Sequence, residues 1–421
     1  MKLFSLSKFV NIPNFKSLDP FTEIIEVKEP KLMVYSLTQQ HNMSCTPVVK
    51  RRDEVLKGQV IGESENKSVG PIYSSVSGKV KQITTEVGLD GDKYEVVVIE
   101  NDGLYKELER EKIDYKSLSF EQLKEHIKNL GLVETQNLTT RKRGLHIPFK
   151  KACKNILLNA QESGLYGQID TYLFMAEKED FLNGIEILRN LYKDADIKLL
   201  TTNDQTTVKG FSELLKETNV EIVPKKPTQY YHDINLASRD VFSDFNMKDT
   251  MVLDAFMLPA LARGIRDNEL THYQYILVNG NDTKKPGIYK VINGSQIKDL
   301  QEASEAMDPF RMVGGSILSG DAIYSLDTTI DKGIREILFL SKDEVARDEE
   351  INCIKCGRCQ DICPMNLKPW ELNEMAINRD FDDFFKNRGG MCVECGLCSY
   401  VCPSKRHLLQ SFKTAKKASR G

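Results

Sequence analysis

Eight of the chain's ten cysteines fall between Cys353 and Cys402, in two runs of one spacing. The first reads Cys353-x-x-Cys356-x-x-Cys359-x-x-x-Cys363-Pro364 and the second Cys392-x-x-Cys395-x-x-Cys398-x-x-x-Cys402-Pro403. Three thiolates at two-residue gaps wrap a tight loop around one face of a metal–sulfide cubane, and Gly357 and Gly396 let the backbone come close. The fourth cysteine lies a step too far to close the same cubane and reaches the other one, while the proline turns the chain away. The spacing therefore predicts two [4Fe–4S] clusters. Cys353, Cys356, Cys359 and Cys402 are expected to hold one, and Cys392, Cys395, Cys398 and Cys363 the other. Paired C-x-x-C motifs also bind zinc, but zinc uses four ligands in two pairs. Two complete runs of four, each ending in Cys-Pro, fit clusters better.

A disulfide scaffold would spread its cysteines through a short secreted chain, so this clustering argues for metal in a reducing compartment. The net charge of −3, with both signs mixed along the chain, offers no basic patch for nucleic acid. No stretch approaches the roughly 18 apolar residues of a membrane span, and the first residues show no signal peptide. A cytoplasmic protein is expected, free or peripheral to the inner face of the membrane through a partner.

A multidomain α/β chain is expected. Residues 1–103 alternate short β-rich runs with turns, as in PVVKRRDEVLKGQVIGE and GPIYSSVSGKVKQI, which would make a small flattened barrel. Residues 104–268 open charged and helical in pattern. They then alternate strand-like runs (NILLNA, TYLFMA, IKLLTT, VEIVP, DTMVLDAFM) with helices such as DFLNGIEILRNLY, a largely parallel sheet with covering helices. Residues 269–344 hold a β-grasp-like module and a linker. Residues 345–421 are helical around the cysteines, with Trp370, Leu372, Met375, Ala376 and Phe381 marking helix between the runs. The basic end, SFKTAKKASRG, reads as a frayed, solvated tail.

The segments CIKCGRCQDICPMNLKPWEL and CVECGLCSYVCPSKRHLLQ resemble those of the C subunit of the Rnf ferredoxin:NAD oxidoreductase complex. The resemblance covers most of the chain in order. It implies an N-terminal barrel-sandwich hybrid, an α/β domain related to the flavin-bearing subunit of respiratory complex I, a soluble-ligand-binding (SLBB-like) β-grasp and a two-cluster ferredoxin domain. Asn159, Glu162, Tyr166 and Asp170 of LNAQESGLYGQID match the family's segment before its sheet, which implies that Asn159 and Glu162 contact a flavin, FMN.

There are departures. The family's glycine-rich loop ending in Phe-Pro-Thr appears here as LGLVETQNLTTRKRGLHIPFKKA, and its Pro-Gln-Gly-Gly segment as VPKKPTQYYHDINLA. Side chains then occupy the space that phosphate-binding backbone needs, which predicts weak or absent NADH binding. These departures suit the soluble relatives that accompany selenium-dependent reductases, such as the proline-reductase-associated electron-transfer protein. Some members of that group carry a redox-active cysteine or selenocysteine in the N-terminal domain. The matching place here is QQHNMSCTPVVK. Cys45 is thus a candidate catalytic thiol, expected to be accessible and lowered in pKa by His41. Cys153 reads as a core residue. The barrel is also similar to lipoyl carriers, but its tip, SENKSVG, offers Lys67 without the usual flanking residues.

The expected function is electron transfer through two clusters to a partner reductase in an anaerobe, with proline reductase the candidate partner that the resemblance implies. Two alternatives stand beside it. One is a peripheral, flavin- and NADH-binding member of a membrane Rnf-type complex, in the place of its C subunit. The other is a docking scaffold held together by its clusters.

Overall fold

The computed structural model describes residues 23–39, 43–66, 69–89, 91–133, 149–161, 165–166, 169–228, 230–231, 233–343, 345 and 349–418. The first strand, β1 (Ile25–Glu26), pairs parallel with a strand of the third module rather than with the barrel that follows it. The barrel is a sandwich of two antiparallel sheets. One holds β2 (Leu32–Ser36), β4 (Glu54–Val55), β7 (Gly78–Val87) and β8 (Lys93–Asn101), in the order β2-β8-β7-β4. The other holds β3 (Thr46–Pro47), β5 (Val60–Glu63) and β6 (Ile72–Tyr73). Met33, Ile61, Ile72, Val80 and Val97, contributed by both sheets, fill the space between them.

After α1 (Phe120–Lys128), capped by a reciprocal Ser119–Gln122 box, the chain builds a parallel sheet. Its strands are β9 (Asn155–Ala160), β10 (Asp196–Thr202), β11 (Glu221–Lys225) and β12 (Thr250–Asp254), in the order β11-β10-β9-β12. Helices α2 (Ile169–Ala176), α3 (Lys178–Leu191), α4 (Gln205–Leu214), α5 (Ile234–Val241) and α6 (Leu258–Asp267) connect and cover it. The order reverses between β9 and β12, so the crevice beyond their carboxyl ends is the natural ligand position of such a sheet. One expected strand is corrected here. TYLFMA belongs to α2, where Leu173 and Phe174 are buried and Phe174 packs on Phe181 and Phe211. A short, mostly apolar run of six residues suits a buried strand and a buried helix equally.

The third module is a mixed sheet of β1, β13 (Tyr273–Asn279), β14 (Gly287–Ile292), β15 (Arg311–Gly314), β16 (Asp321–Ile323) and β17 (Glu336–Leu340), ordered β1-β14-β13-β17-β15-β16. Ile297 and Leu300 of α7 (Ile297–Ser304) pack into its core. The last module is helical: α8 (Arg358–Asp361), α9 (Pro369–Ile377), α10 (Phe381–Lys386), α11 (Leu397–Tyr400) and α12 (Leu408–Ala418). Helix α12 corrects the expected frayed tail, because Leu408, Leu409, Phe412, Ala415 and Lys416 are all buried. Among the described residues no helix is long and apolar enough to cross a membrane.

Candidate metal centre

The two cysteine runs fold alike, residue for residue. The residue before the second cysteine is left-handed in both (Lys355, φ 54°; Glu394, φ 55°), as is the residue three beyond the fourth (Asn366, φ 49°; Lys405, φ 52°). These turns curl the backbone around the thiols. The amides of Lys355 and Glu394 point at Cys353 Sγ and Cys392 Sγ, each at 3.4 Å, and the amide of Leu367 points at Cys363 Sγ at 3.4 Å. Gly357 and Gly396 then cap the short helices α8 and α11, which carry Cys359 and Cys398.

A cavity of about 300 Å³ is lined by Cys353, Cys356, Cys359 and Cys402. Three of these come from the first run and one from the second. Cys363 in turn lies close enough to Cys392, Cys395 and Cys398 to repel ionisation of each. Burial is the larger cause. It pushes the Cys392 thiol up to about 11 and holds Cys395 and Cys398 well above the ordinary value of 9.0. Thiols so unwilling to ionise alone are ones that cationic metal would hold as thiolates. Among the described residues no group of three His, Cys, Asp or Glu side chains closes on a single-ion site. Cysteines spaced around a cavity fit a cluster of several metals, whereas zinc needs four ligands about 2–2.3 Å from one ion.

The two sets differ in setting. Cys356 is exposed, Cys353 and Cys402 are half-buried and Cys359 is buried, whereas Cys363, Cys395 and Cys398 are buried and Cys392 is half-buried. Beside the first set Ile351 and Ile354 are exposed. Around the second, Val393, Cys395, Leu397 and Ile362 share a core with Leu157, Leu200, Tyr230 and Tyr231 of the parallel-sheet module. Lys413 fastens α12 to the β15–β16 connection, donating to Ser319 O at 2.7 Å and Asp321 Oδ1 at 2.9 Å.

The remaining candidates fare differently. Asn159 is buried with both ends of its carboxamide engaged: Nδ2 donates to Tyr231 O at 3.1 Å, and Oδ1 accepts from the Gln161 amide at 3.1 Å. Glu162 lies outside the described residues, as do His41, Lys67 and the counterpart of the glycine-rich loop over 134–148. Cys45 is corrected. It is 4% exposed in the barrel core, and burial together with Glu63 pushes its thiol up to about 11, opposite to the accessible, low-pKa thiol expected. The loop around it reads as polar, but β3 and β5 close over the side chain. Cys153 is half-buried against the parallel-sheet core. Sequence reasoning missed Gln161, Thr201, Thr202 and Thr228. All four are buried, with side-chain polar atoms that have no partner among the described residues, at or beyond the carboxyl ends of β9, β10 and β11. Their only signal was polar residues closing apolar strand runs.

A helical module that gathers the cysteines of two ferredoxin-type runs defines a dicluster iron–sulfur protein. Residues 352–407 match the family model for the 4Fe-4S dicluster domain, and residues 4–104 that for the RnfC Barrel sandwich hybrid domain. Over 413 residues the chain is 26% identical to the C subunit of the Na(+)-translocating ferredoxin:NAD(+) oxidoreductase complex of Acetobacterium woodii, spanning 93% of this chain and 91% of that one. It is 27% identical over 367 residues to the C subunit of the proton-translocating ferredoxin:NAD(+) oxidoreductase complex of Clostridium ljungdahlii, spanning 83% and 79%. It is 27% identical over 394 residues to the C subunit of the ion-translocating oxidoreductase complex of Methanosarcina acetivorans, spanning 87% and 88%. The resemblance to Rnf C subunits therefore holds over most of the chain, not at its cysteines alone. These relatives favour the membrane-complex alternative over the proline-reductase reading. A solved NAD+-reducing [NiFe]-hydrogenase in the H2-reduced state aligns at 12% identity over 71% of this chain and 62% of that one. Its TM-score of 0.46 is too low to argue from.

Proposed function

We propose that the chain is a peripheral electron-transfer subunit of an Rnf-type ferredoxin:NAD oxidoreductase complex, with two [4Fe–4S] clusters. Cys353, Cys356, Cys359 and Cys402 hold the solvent-facing one, and Cys392, Cys395, Cys398 and Cys363 the enclosed one. The observation that carries this reading is the cavity lined by cysteines of both runs. Clusters bound there supply one-electron transfer. The chain's own part is to hold the two sets side by side through the exchanged cysteines. It also aims backbone amides at the sulfurs, excludes water from the second set with Val393, Leu397 and Tyr230, and leaves the first set open to a partner.

The crevice where the strand order reverses is read as the flavin position. Gln161, just beyond β9, offers it hydrogen-bonding groups with no partner among the described residues, and the enclosed cysteine set shares a core with the same module. The helix-backed third sheet fits the β-grasp reading and acts as the mount for α12. The test is purification without oxygen from the native organism. The reading expects the chain to travel with membrane-embedded subunits and to hold about eight irons, four per cluster. A soluble complex with a reductase and no membrane protein would contradict it. A yellow flavin bleached by NADH would place the nucleotide step on this chain.

A further inference from the structure

The basic end of the chain contains a charge that is not solvated. Lys416 on α12 is 10% exposed in its side chain, and Nζ donates to Cys392 O at 2.6 Å and to Glu394 Oε1 at 2.9 Å. Glu394 is only 2% exposed in its side chain, and its Oε2 has no partner among the described residues. It stands between Cys392 and Cys395, inside the enclosed cysteine set. The matching residue of the first run, Lys355, has the opposite charge and extends its amine over the Trp370 ring at 5.5 Å from the centroid. Two loops of one backbone geometry thus carry different electrostatics.

An electron added within the enclosed set is a negative charge in a low-dielectric site. Neighbouring charges act there with little screening, whereas at the exposed set water and salt weaken them. A nearby anion opposes reduction and a nearby cation favours it, and net local charge is one of the known controls of cluster potential. We infer that Lys416 sets the reduction potential of the enclosed centre: its ammonium fixes the Glu394 carboxylate through Oε1, offsets its charge and keeps that centre reducible. Lys416 acts through Glu394 and the Cys392 carbonyl and touches no reacting atom, so it is a positioning residue. The inference rests on the reading that Cys392, Cys395, Cys398 and Cys363 hold a cluster.

The experiment is a redox titration of the anaerobically purified full chain, following each reduced centre by electron paramagnetic resonance, with iron counted for every variant. Lys416→Met should lower the midpoint of the enclosed centre, and Glu394→Gln should raise it. The double variant should return towards wild type, Lys416→Arg should stay near wild type, and the exposed centre should be unmoved throughout. A residue with only a structural role would not give opposite shifts. Shifts of the same sign, or none, at full iron content would overturn the inference. If Lys416→Met sheds the enclosed cluster, Glu394→Gln decides alone: an upward shift supports the inference and an unchanged midpoint defeats it. Wild-type protein that binds no second cluster would instead defeat the underlying assignment.

Discussion

Gly396 lies directly against the main chain of Leu318: a Cβ there would stand 2.1 Å from the Leu318 carbonyl oxygen. Gly357, its counterpart in the first run, would meet nothing within 4 Å. Both are left-handed, at φ 77° and 79°, so alanine at either position strains the backbone by about 1–2 kcal/mol. Only at 396 must a second element also move. Gly357→Ala should therefore lower the melting temperature modestly and keep its iron. Gly396→Ala should lower it more and lose iron from the enclosed set. Equal effects of the two variants on melting and iron content would show that the Leu318 contact does not support the site.

Cys363 belongs to the first run in sequence and, in the proposed crossing, is a ligand of the second cluster, beside Cys392, Cys395 and Cys398. Cys363→Ser should change the resonance signal of the enclosed centre and leave that of the exposed one intact. Loss of the exposed centre's signal alone would show that the runs do not cross.

Cys45 should be inert. Its thiol, pushed up to about 11 and packed in the barrel core, presents almost no thiolate at neutral pH. Iodoacetamide should label it far more slowly than a free cysteine, with the rate climbing as pH approaches 11. The linkage has a definite sign. The folded-state pKa lies above the ordinary value of 9.0, so the protonated form's contribution to stability is complete below pH 9 and declines between about 9 and 11. Rapid labelling at pH 7 would contradict the burial.

Arg263 ties the parallel-sheet module to the third sheet. Its Nη1 meets Asp180 at 2.8 Å and Glu177 at 3.3 Å, and Glu177 also accepts from the hydroxyls of Tyr273 and Tyr275, each at 3.2 Å. The side chain is 12% exposed. Arg263→Leu leaves two largely buried carboxylates without their main cation, a change that costs about 3–5 kcal/mol in comparable sites. Denaturant unfolding should show it. A loss under about 1 kcal/mol, the range of solvated surface pairs, would mean that the network is too exposed to join the modules.

The sequence was most informative where chemistry fixes spacing. The cysteine runs, with their Gly and Pro punctuation, contain enough information to recognise an iron–sulfur domain, because a cubane admits few loop lengths. Strands β9, β10 and β12 were legible because buried parallel strands are continuous apolar runs, and the edge strand β11 because VEIVP is a short β-branched run ended by proline. Helix α2 was not, since TYLFMA carries no period that separates a buried strand from a buried helix. The environments of Cys45 and Lys416 were also hidden. Local sequence around Cys45 is polar and around Lys416 basic, and only tertiary packing, by β3 and β5 in one case and by the Cys392 loop in the other, takes both out of water. The unpartnered Gln161 and Thr201 became visible only once the strand order placed them at one edge.

The most direct measurement is the metal content of the anaerobically purified chain, combined with resonance spectroscopy after dithionite reduction. The account predicts about eight irons with matching acid-labile sulfide, and two reduced paramagnetic centres near enough to broaden each other's signals. Four irons with one isolated signal, or stoichiometric zinc with no signal, would contradict it.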